Sequence, residues 1–339
     1  MRIGLVAPPW LPVPPTGYGG TEAVIDPLAT GLQARGHEVV LFTTGDSTCP
    51  VPRAWVREHS APERMGESVV EVHHLLHAYQ RLRDVDIIHD HTTLGPVIAL
   101  GRSRCPVVTT NHGPFTDELG DIYRHVAELG AVVAISHDHA SRASFPVAAV
   151  IHHGVRPEAF PVGTGSGGHL LFLGRFSRDK GAREAALIAH AARVPLILAA
   201  KKRDQAEIDY FEKEVAPLLD DQVRYVGEIG MSEKLDLLGS ARALLNPIRW
   251  PEPFGLAMVE ALACGTPVLT LRSGAAPEIV RDGVTGFLCD SDEDLVTAIG
   301  RIDQLDRAAC RRSVETYFCS DRMVEQYLRL YQDVVARVA

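Results

Sequence analysis

Trp250-Pro251-Glu252-Pro253-Phe254-Gly255-Leu256-Ala257-Met258-Val259-Glu260-Ala261-Leu262-Ala263-Cys264-Gly265-Thr266-Pro267-Val268 holds a loop, a helix and the start of a strand in one unbroken run. Pro251 and Pro253 forbid a helix around Glu252, because proline lacks the amide proton and clashes with the preceding turn. The apolar run from Phe254 to Cys264 reads as a helix that stops at Gly265. Val268–Leu271 then reads as a short strand. Seven residues separate Glu252 from Glu260, and a mostly helical span of that length covers at most about 12 Å. The two carboxylates can therefore reach opposite ends of an elongated ligand. Between them lie the N–H groups of Gly255, Leu256 and Ala257. The first N–H groups of a helix have no intrahelical acceptor and favour an anion. A lone pair of glutamates at this spacing would mean only a solvated helix edge; the flanking prolines and the glycine argue for a built site.

The same alternation of short apolar runs and amphipathic stretches extends in both directions. Strands are expected at Ile3–Ala7, Glu38–Thr43, Asp86–His89, Val107–Thr110, Ala131–Ile135 and Val147–Ile151. A second set is expected at Leu170–Leu173, Pro195–Ala199, Val223–Val226, Ala243–Pro247, Val268–Leu271 and Gly286–Cys289. These runs are rich in Val and Ile and do not alternate strictly, as strands buried on both faces do in a parallel sheet. Helices are expected between them, among them Thr21–Arg35, Glu67–Arg83, Lys180–Ala192 and Ser232–Gly239, with a last one at Ser320–Ala339. The chain has 339 residues, and domains run to about 100–200, so two doubly wound α/β domains fit. Phe160–Gly168 is rich in Gly and Ser and reads as the linker. The domains are thus 1–160 and 168–319. Ligands in such folds bind at the carboxyl ends of the strands, which predicts a cleft between the two domains.

Three further segments follow strands. In Leu171-Phe172-Leu173-Gly174-Arg175-Phe176-Ser177-Arg178-Asp179-Lys180-Gly181, Arg175 and Lys180 stand at a strand end. Arg grips phosphate through a fork and Lys adds a point charge. Pro14-Pro15-Thr16-Gly17-Tyr18-Gly19-Gly20-Thr21-Glu22 has glycines where a backbone could approach a ligand, but it is not the G-x-G-x-x-G of a dinucleotide fold. Thr109-Thr110-Asn111-His112-Gly113-Pro114-Phe115 puts His112 just past a strand. His73 and His77 have i, i+4 ligand spacing, yet no H-E-x-x-H or third ligand accompanies them, and no metal is expected. His89 and His91 are expected to point opposite ways.

The formal net charge of −9 speaks against nucleic-acid binding, which needs a basic face, and against docking on anionic lipid. Six cysteines without a C-x-x-C pair read as reduced thiols of a cytoplasmic protein. The opening residues are broken by Pro8 and Pro9 too early for a signal peptide, and no apolar run reaches the length of a membrane span.

With these motifs together, the chain resembles the retaining glycosyltransferases of family 4, which have the GT-B fold. The resemblance rests on Gly19-Gly20-Thr21-Glu22, Gly36-His37-Glu38-Val39, Asn111-His112-Gly113, Gly174-Arg175 with Lys180-Gly181, and Glu252-Pro253-Phe254-Gly255 through Glu260. It implies that Arg175 and Lys180 hold the donor diphosphate, that Glu260 binds the ribose hydroxyls, and that Glu252 contacts the donor sugar. It further implies that Phe254, Gly255, Leu256 and Ala257 line phosphate and sugar, and that Gly19 and Gly20 let the N-terminal loop close over the diphosphate. His112 would face the sugar. Val226-Gly227-Glu228-Ile229 sits where the family holds the nucleobase, with Ile229 as its contact. The last helix, 320–339, would cross back to the N-terminal domain. Where many members have Asn-Gly at the interdomain crossing, this chain has His153-Gly154.

The expected activity is transfer of a hexose, with retention and without cofactor or metal, from a nucleotide sugar such as UDP-glucose to a small soluble acceptor. Fixed cations and backbone N–H groups would take the place of a metal at the leaving group. Tyr18, His73, His77 and Phe115 are candidate acceptor contacts. The competing readings are a nucleotide-sugar epimerase or hydrolase of the same fold, a non-catalytic nucleotide-sugar binder, and a dehydrogenase using Asp46 for a ribose, against which the glycine pattern speaks.

Overall fold

The computed structural model describes residues 1–337, with Arg102 described by its backbone alone. The chain divides into two units: unit 1 is Met1–Gly154 with Ser320–Ala339, and unit 2 is Val155–Cys319. Among the described residues no helix is long and apolar enough to cross a membrane.

Unit 1 contains β1 (Arg2–Val6), β2 (Glu38–Thr43), β3 (Arg53–Trp55), β4 (Ile87–Asp90), β5 (Val107–Thr110), β6 (Ala131–Ala134) and β7 (Ala149–Val150). They form one sheet in the order β3-β2-β1-β4-β5-β6-β7, parallel throughout. Unit 2 contains β8 (Leu170–Arg175), β9 (Leu196–Lys201), β10 (Val223–Gly227), β11 (Ala243–Asn246), β12 (Val268–Leu271) and β13 (Gly286–Cys289). Their order is β10-β9-β8-β11-β12-β13, again parallel. Every residue of β4, β5, β6 and β11 is buried, which is why these runs do not alternate apolar with polar residues.

In each sheet the order reverses beside the first strand, between β1 and β4 and between β8 and β11. Crossover helices leave to opposite faces there and open a crevice at the carboxyl ends of the two strands. In unit 2 this reversal brings the loop after Arg175 beside the loop after Asn246.

Several expectations are corrected. The Gly/Ser stretch is not a linker. The N–H groups of Gly163, Gly165 and Gly167 donate to the carbonyls of Cys264, Gly239 and Ser240 at 3.0, 3.0 and 2.9 Å. A Cβ on Gly163 would lie 2.1 Å from Gly239 O, so glycine serves close packing rather than flexibility. The division falls at Gly154–Val155, ahead of the expected bounds at 160 and 168. The edge strand β3 and the helix Asp117–Leu129 had no counterpart in the reading of the sequence. The last helix runs Ser320–Ala336; Val338 and Ala339 lie outside the described residues. It packs within unit 1 against the helix Gly20–Ala34, where a Cβ on Gly31 would sit 2.7 Å from Val324 Cγ2.

Candidate functional site

Arg175 ends β8, and the chain then makes a 3-10 turn at Arg178–Lys180. The expected helix from Lys180 starts at Ala182 instead, because Gly181 adopts φ +77, a left-handed conformation that breaks the helical run. A Cβ on Gly181 would lie 2.2 Å from Pro247 O. Glycine thus lets the loop after β8 seat directly on the loop after β11.

That seating brings Lys180 to Glu252. Lys180 Nζ donates to Glu252 Oε1 in an ion pair whose side chains are only 11% and 17% exposed. The ammonium also lies 5.6 Å from the centroid of the Trp250 ring, within cation–π range. Glu252 Oε2 lies 3.7 Å from the point a Cβ on Gly255 would occupy. Cation, carboxylate and helix start therefore share one place.

The loop carrying Glu252 is tied down on both sides. Its N–H donates to Trp250 O at 2.9 Å, and its carbonyl accepts from Ala275 N at 3.0 Å. The Ser273 hydroxyl donates to Trp250 O at 3.1 Å. Gly274 has φ +55, and a Cβ there would lie 2.4 Å from both Glu252 N and Glu252 O. The helix runs Leu256–Ala263, after Gly255 at φ +98, two residues later than expected at Phe254. Phe254 is buried and packs edge-on against Phe318 at 6.2 Å.

Arg175, the last residue of β8, is partly exposed, with Nη2 3.4 Å from Asp179 Oδ2. A Cβ on Gly174 would lie 3.9 Å from Lys180 Cβ, which seats Lys180 against the end of β8. Glu260 is buried in the helix and accepts from Lys234 Nζ at 2.6 Å. Lys234 was not singled out from the sequence. It belongs to the helix Met231–Ser240, and only the packing of two helices pairs it with Glu260. Ile229 follows β10 and is half-buried; nearby Gly227 has φ +94 with open space around it. Arg203 and Glu228 pair at 2.7 Å on the same edge. Unit 2 thus joins Lys180 and Glu252 beside the first turn after Gly255, with Arg175 at the end of β8 and Glu260 further along the same helix. Its chemistry suits a doubly negative diphosphate with hydroxyl groups at either end.

In unit 1 the glycine-rich loop leads into the helix Gly20–Ala34. A Cβ on Gly19 would lie 2.8 Å from Leu11 and Pro15, whereas at Gly20 nothing lies within 4 Å. Gly19 is required by the loop itself, and Gly20 faces open space. Burial pushes the Glu22 carboxyl up to about 7.

His112 is half-buried and lies among other histidines. Its Nε2 is 2.9 Å from His91 Nδ1, and its ring stacks on His153 at 4.9 Å and 21°. His89 and His91 are not opposed: their rings lie 4.0 Å apart, because side chains two residues apart share a strand face. His89 also contacts Tyr331 OH at 2.6 Å and Thr110 Oγ1 at 2.8 Å, and Thr110 Oγ1 contacts Tyr327 OH at 2.8 Å. Burial holds His89, His91 and His153 well below the ordinary histidine value and His112 at about 3. Of the expected acceptor contacts, Tyr18, His73 and His77 are exposed. Phe115 instead packs into the apolar cluster of Tyr123 and Phe145 and stacks on His139 at 4.0 Å.

Comparison with known proteins gives the family and the fold. Residues 18–159 match the family described as "Glycosyltransferase Family 4", and residues 166–312 match "Glycosyl transferases group 1". The chain is 28% identical to a phosphatidyl-myo-inositol mannosyltransferase of Mycolicibacterium smegmatis, over 98% of this chain and 94% of that one. AviGT4, a glycosyltransferase involved in avilamycin A biosynthesis, is 26% identical with a TM-score of 0.72, over 99% and 98% of the two chains. HepE of Anabaena, solved with UDP and glucose, shares the fold at 18% identity with a TM-score of 0.77, over 98% and 100%.

Proposed function

The chain belongs to the glycosyltransferases of family 4, and from that premise we propose that it moves a hexose from a nucleoside-diphosphate sugar, UDP-glucose first, to a small soluble acceptor, with retention and without a metal. The observation that carries this reading is the Lys180–Glu252 pair at the start of the Leu256–Ala263 helix.

As the bond from the anomeric carbon to the diphosphate breaks, negative charge grows on the leaving oxygen. Arg175, Lys180 and the N–H groups of Gly255, Leu256 and Ala257 stabilise that charge, since fixed donors need no reorganisation as it develops. The diphosphate competes with Glu252 for Lys180, which frees the carboxylate to accept from the sugar hydroxyls. Glu260, oriented by Lys234, accepts from the ribose. Phe254 anchors the loop, and Ile229 is the proposed contact to the base. Gly19 and Gly20 are the proposed backbone contacts to the diphosphate, and His112 the proposed contact to the sugar. The acceptor hydroxyl attacks the anomeric carbon from the face the diphosphate leaves, and its proton passes to the departing phosphate oxygen.

The test is thermal melting with UDP-glucose, UDP-N-acetylglucosamine and GDP-mannose, since a ligand of the folded state alone raises the midpoint. It is followed by acceptor-dependent release of nucleoside diphosphate in excess chelator. A raised midpoint with chelator-insensitive turnover is expected. Release that needs no acceptor would favour the epimerase or hydrolase, and binding without turnover would favour a sensor.

Transfer of mannose to phosphatidyl-myo-inositol is the second reading, favoured by the near full-length similarity to an enzyme of that name. Against it, the helix Ser68–Arg81 exposes Val69, His73, His77, Gln80 and a single formal cation, Arg81, where anionic lipid attracts clusters of basic residues. Turnover with GDP-mannose only in the presence of phosphatidylinositol vesicles would establish it.

A further inference from the structure

We propose that His91 and His153 are positioning residues for His112, fixing its ring plane and its tautomer through a neutral imidazole–imidazole hydrogen bond at one edge and a stacked imidazole on one face. This rests on the reading that His112 touches the donor sugar.

Three stretches of unit 1 converge here. His91 follows β4, His112 follows β5, and His153 follows β7. The His91 ring is buried, and its backbone N–H donates to Val6 O at 3.0 Å. Among the described residues its ring makes one hydrogen bond, Nδ1 to His112 Nε2 at 2.9 Å, and its Nε2 has no partner.

Two neutral imidazoles share one proton in such a bond. The bond couples the two tautomers, and because His91 Nε2 has no partner, where a buried unpaired N–H costs more than a bare nitrogen, His91 donates from Nδ1 and His112 carries its proton on Nδ1. Burial keeps both rings uncharged, which leaves no second proton to blur the choice. His153, also buried, lies nearly parallel to His112 with 21° between planes, and so restricts rotation that one hydrogen bond would allow. A histidine at position 153 thus gives His112 a flat aromatic face to lie against. The free edge of His112 is then presented in one orientation and with one role, donor or acceptor.

The experiment uses the whole protein labelled with nitrogen-15 in histidine, with the His112 signals identified by their loss in His112→Ala. Wild type is expected to show one bare and one protonated His112 nitrogen, without averaging. His91→Leu should average the two signals and lower kcat by about tenfold or more, with donor KM within about twofold. His91→Asn puts an amide where Nδ1 was and should restore both the signals and kcat. His153→Ala should broaden the signals and lower kcat less. Unchanged His112 nitrogen signals and kcat in both His91→Leu and His153→Ala would overturn the proposal. If His91→Leu does not fold, His153→Ala and His91→Asn decide it. Full turnover by His112→Ala would defeat the reading of His112 as a sugar contact, while the nitrogen signals would still report whether His91 sets its tautomer.

Discussion

Lys180 and Glu252 are 72 positions apart in the chain and paired in the structure. Replacing Lys180 with Met removes a fixed cation from the proposed leaving group and should lower kcat about 10²- to 10³-fold, measured by steady-state release of nucleoside diphosphate. Glu252→Gln should lower kcat more than it changes donor KM. Glu260→Ala should do the reverse and raise donor KM about tenfold, roughly the value of one charge-assisted hydrogen bond. Wild-type kinetics in both glutamate variants would defeat the site. These residues were legible because each sits in a short segment whose prolines, glycines and charges carry the signal. Lys234, His91 and His153 gave no such signal. Each acts on a partner that only packing supplies, and nothing in the spacing of Lys234 foretells Glu260 at 2.6 Å.

The loop between β11 and the Leu256–Ala263 helix owes its shape to glycines on neighbouring segments. Gly274→Ala would place a methyl group 2.4 Å from the Glu252 backbone at a positive φ. It should destabilise unit 2 by about 2 kcal/mol, read from urea unfolding, and lower turnover with it. Gly20→Ala meets nothing within 4 Å and starts a helix, so stability should not fall, while donor KM should rise if the backbone there touches the diphosphate. An unchanged KM would remove Gly20 from the site. The interior strands were readable from their buried Val and Ile runs. β3 was not, because Arg53–Trp55 is a half-exposed edge of three residues with no pattern to detect. The helix Asp117–Leu129 was missed for a related reason: its buried positions are few, Gly120, Tyr123 and Val126, among charged neighbours. Composition misled at Phe160–Gly168, where glycines that permit contact look the same as glycines that permit motion.

At the scale of the molecule, unit 1 should be sensitive to acid. His74, His89, His91, His139 and His153 are all buried, and burial lowers each below the ordinary value, His74 and His139 to about 4. Between those folded values and about 6.5 the unfolded chain binds more protons. Stability therefore falls as pH drops below about 6.5, by up to about 1.4 kcal/mol per pH unit for each histidine. Glu22 and Asp90 oppose this, since burial raises them to about 7 and about 6 and the folded state takes up their protons first. With His112, held at about 3, six bases outweigh two acids, so urea midpoints should drop between pH 6 and pH 5; a flat profile would contradict the burial of the histidines. Unit 1 also depends on the helix Ser320–Ala336, which contributes Met323, Val324, Tyr327 and Tyr331 to its interior. A chain cut after Cys319 should lose cooperative melting of unit 1, followed by near-ultraviolet circular dichroism. Because that helix follows Val155–Cys319 in the chain, a ribosome releases all of that second unit before the first unit has this wall. The later-made unit can settle first, and the earlier-made one waits, with His89 and Thr110 lacking their tyrosine partners, until Ser320–Ala336 has left the ribosome.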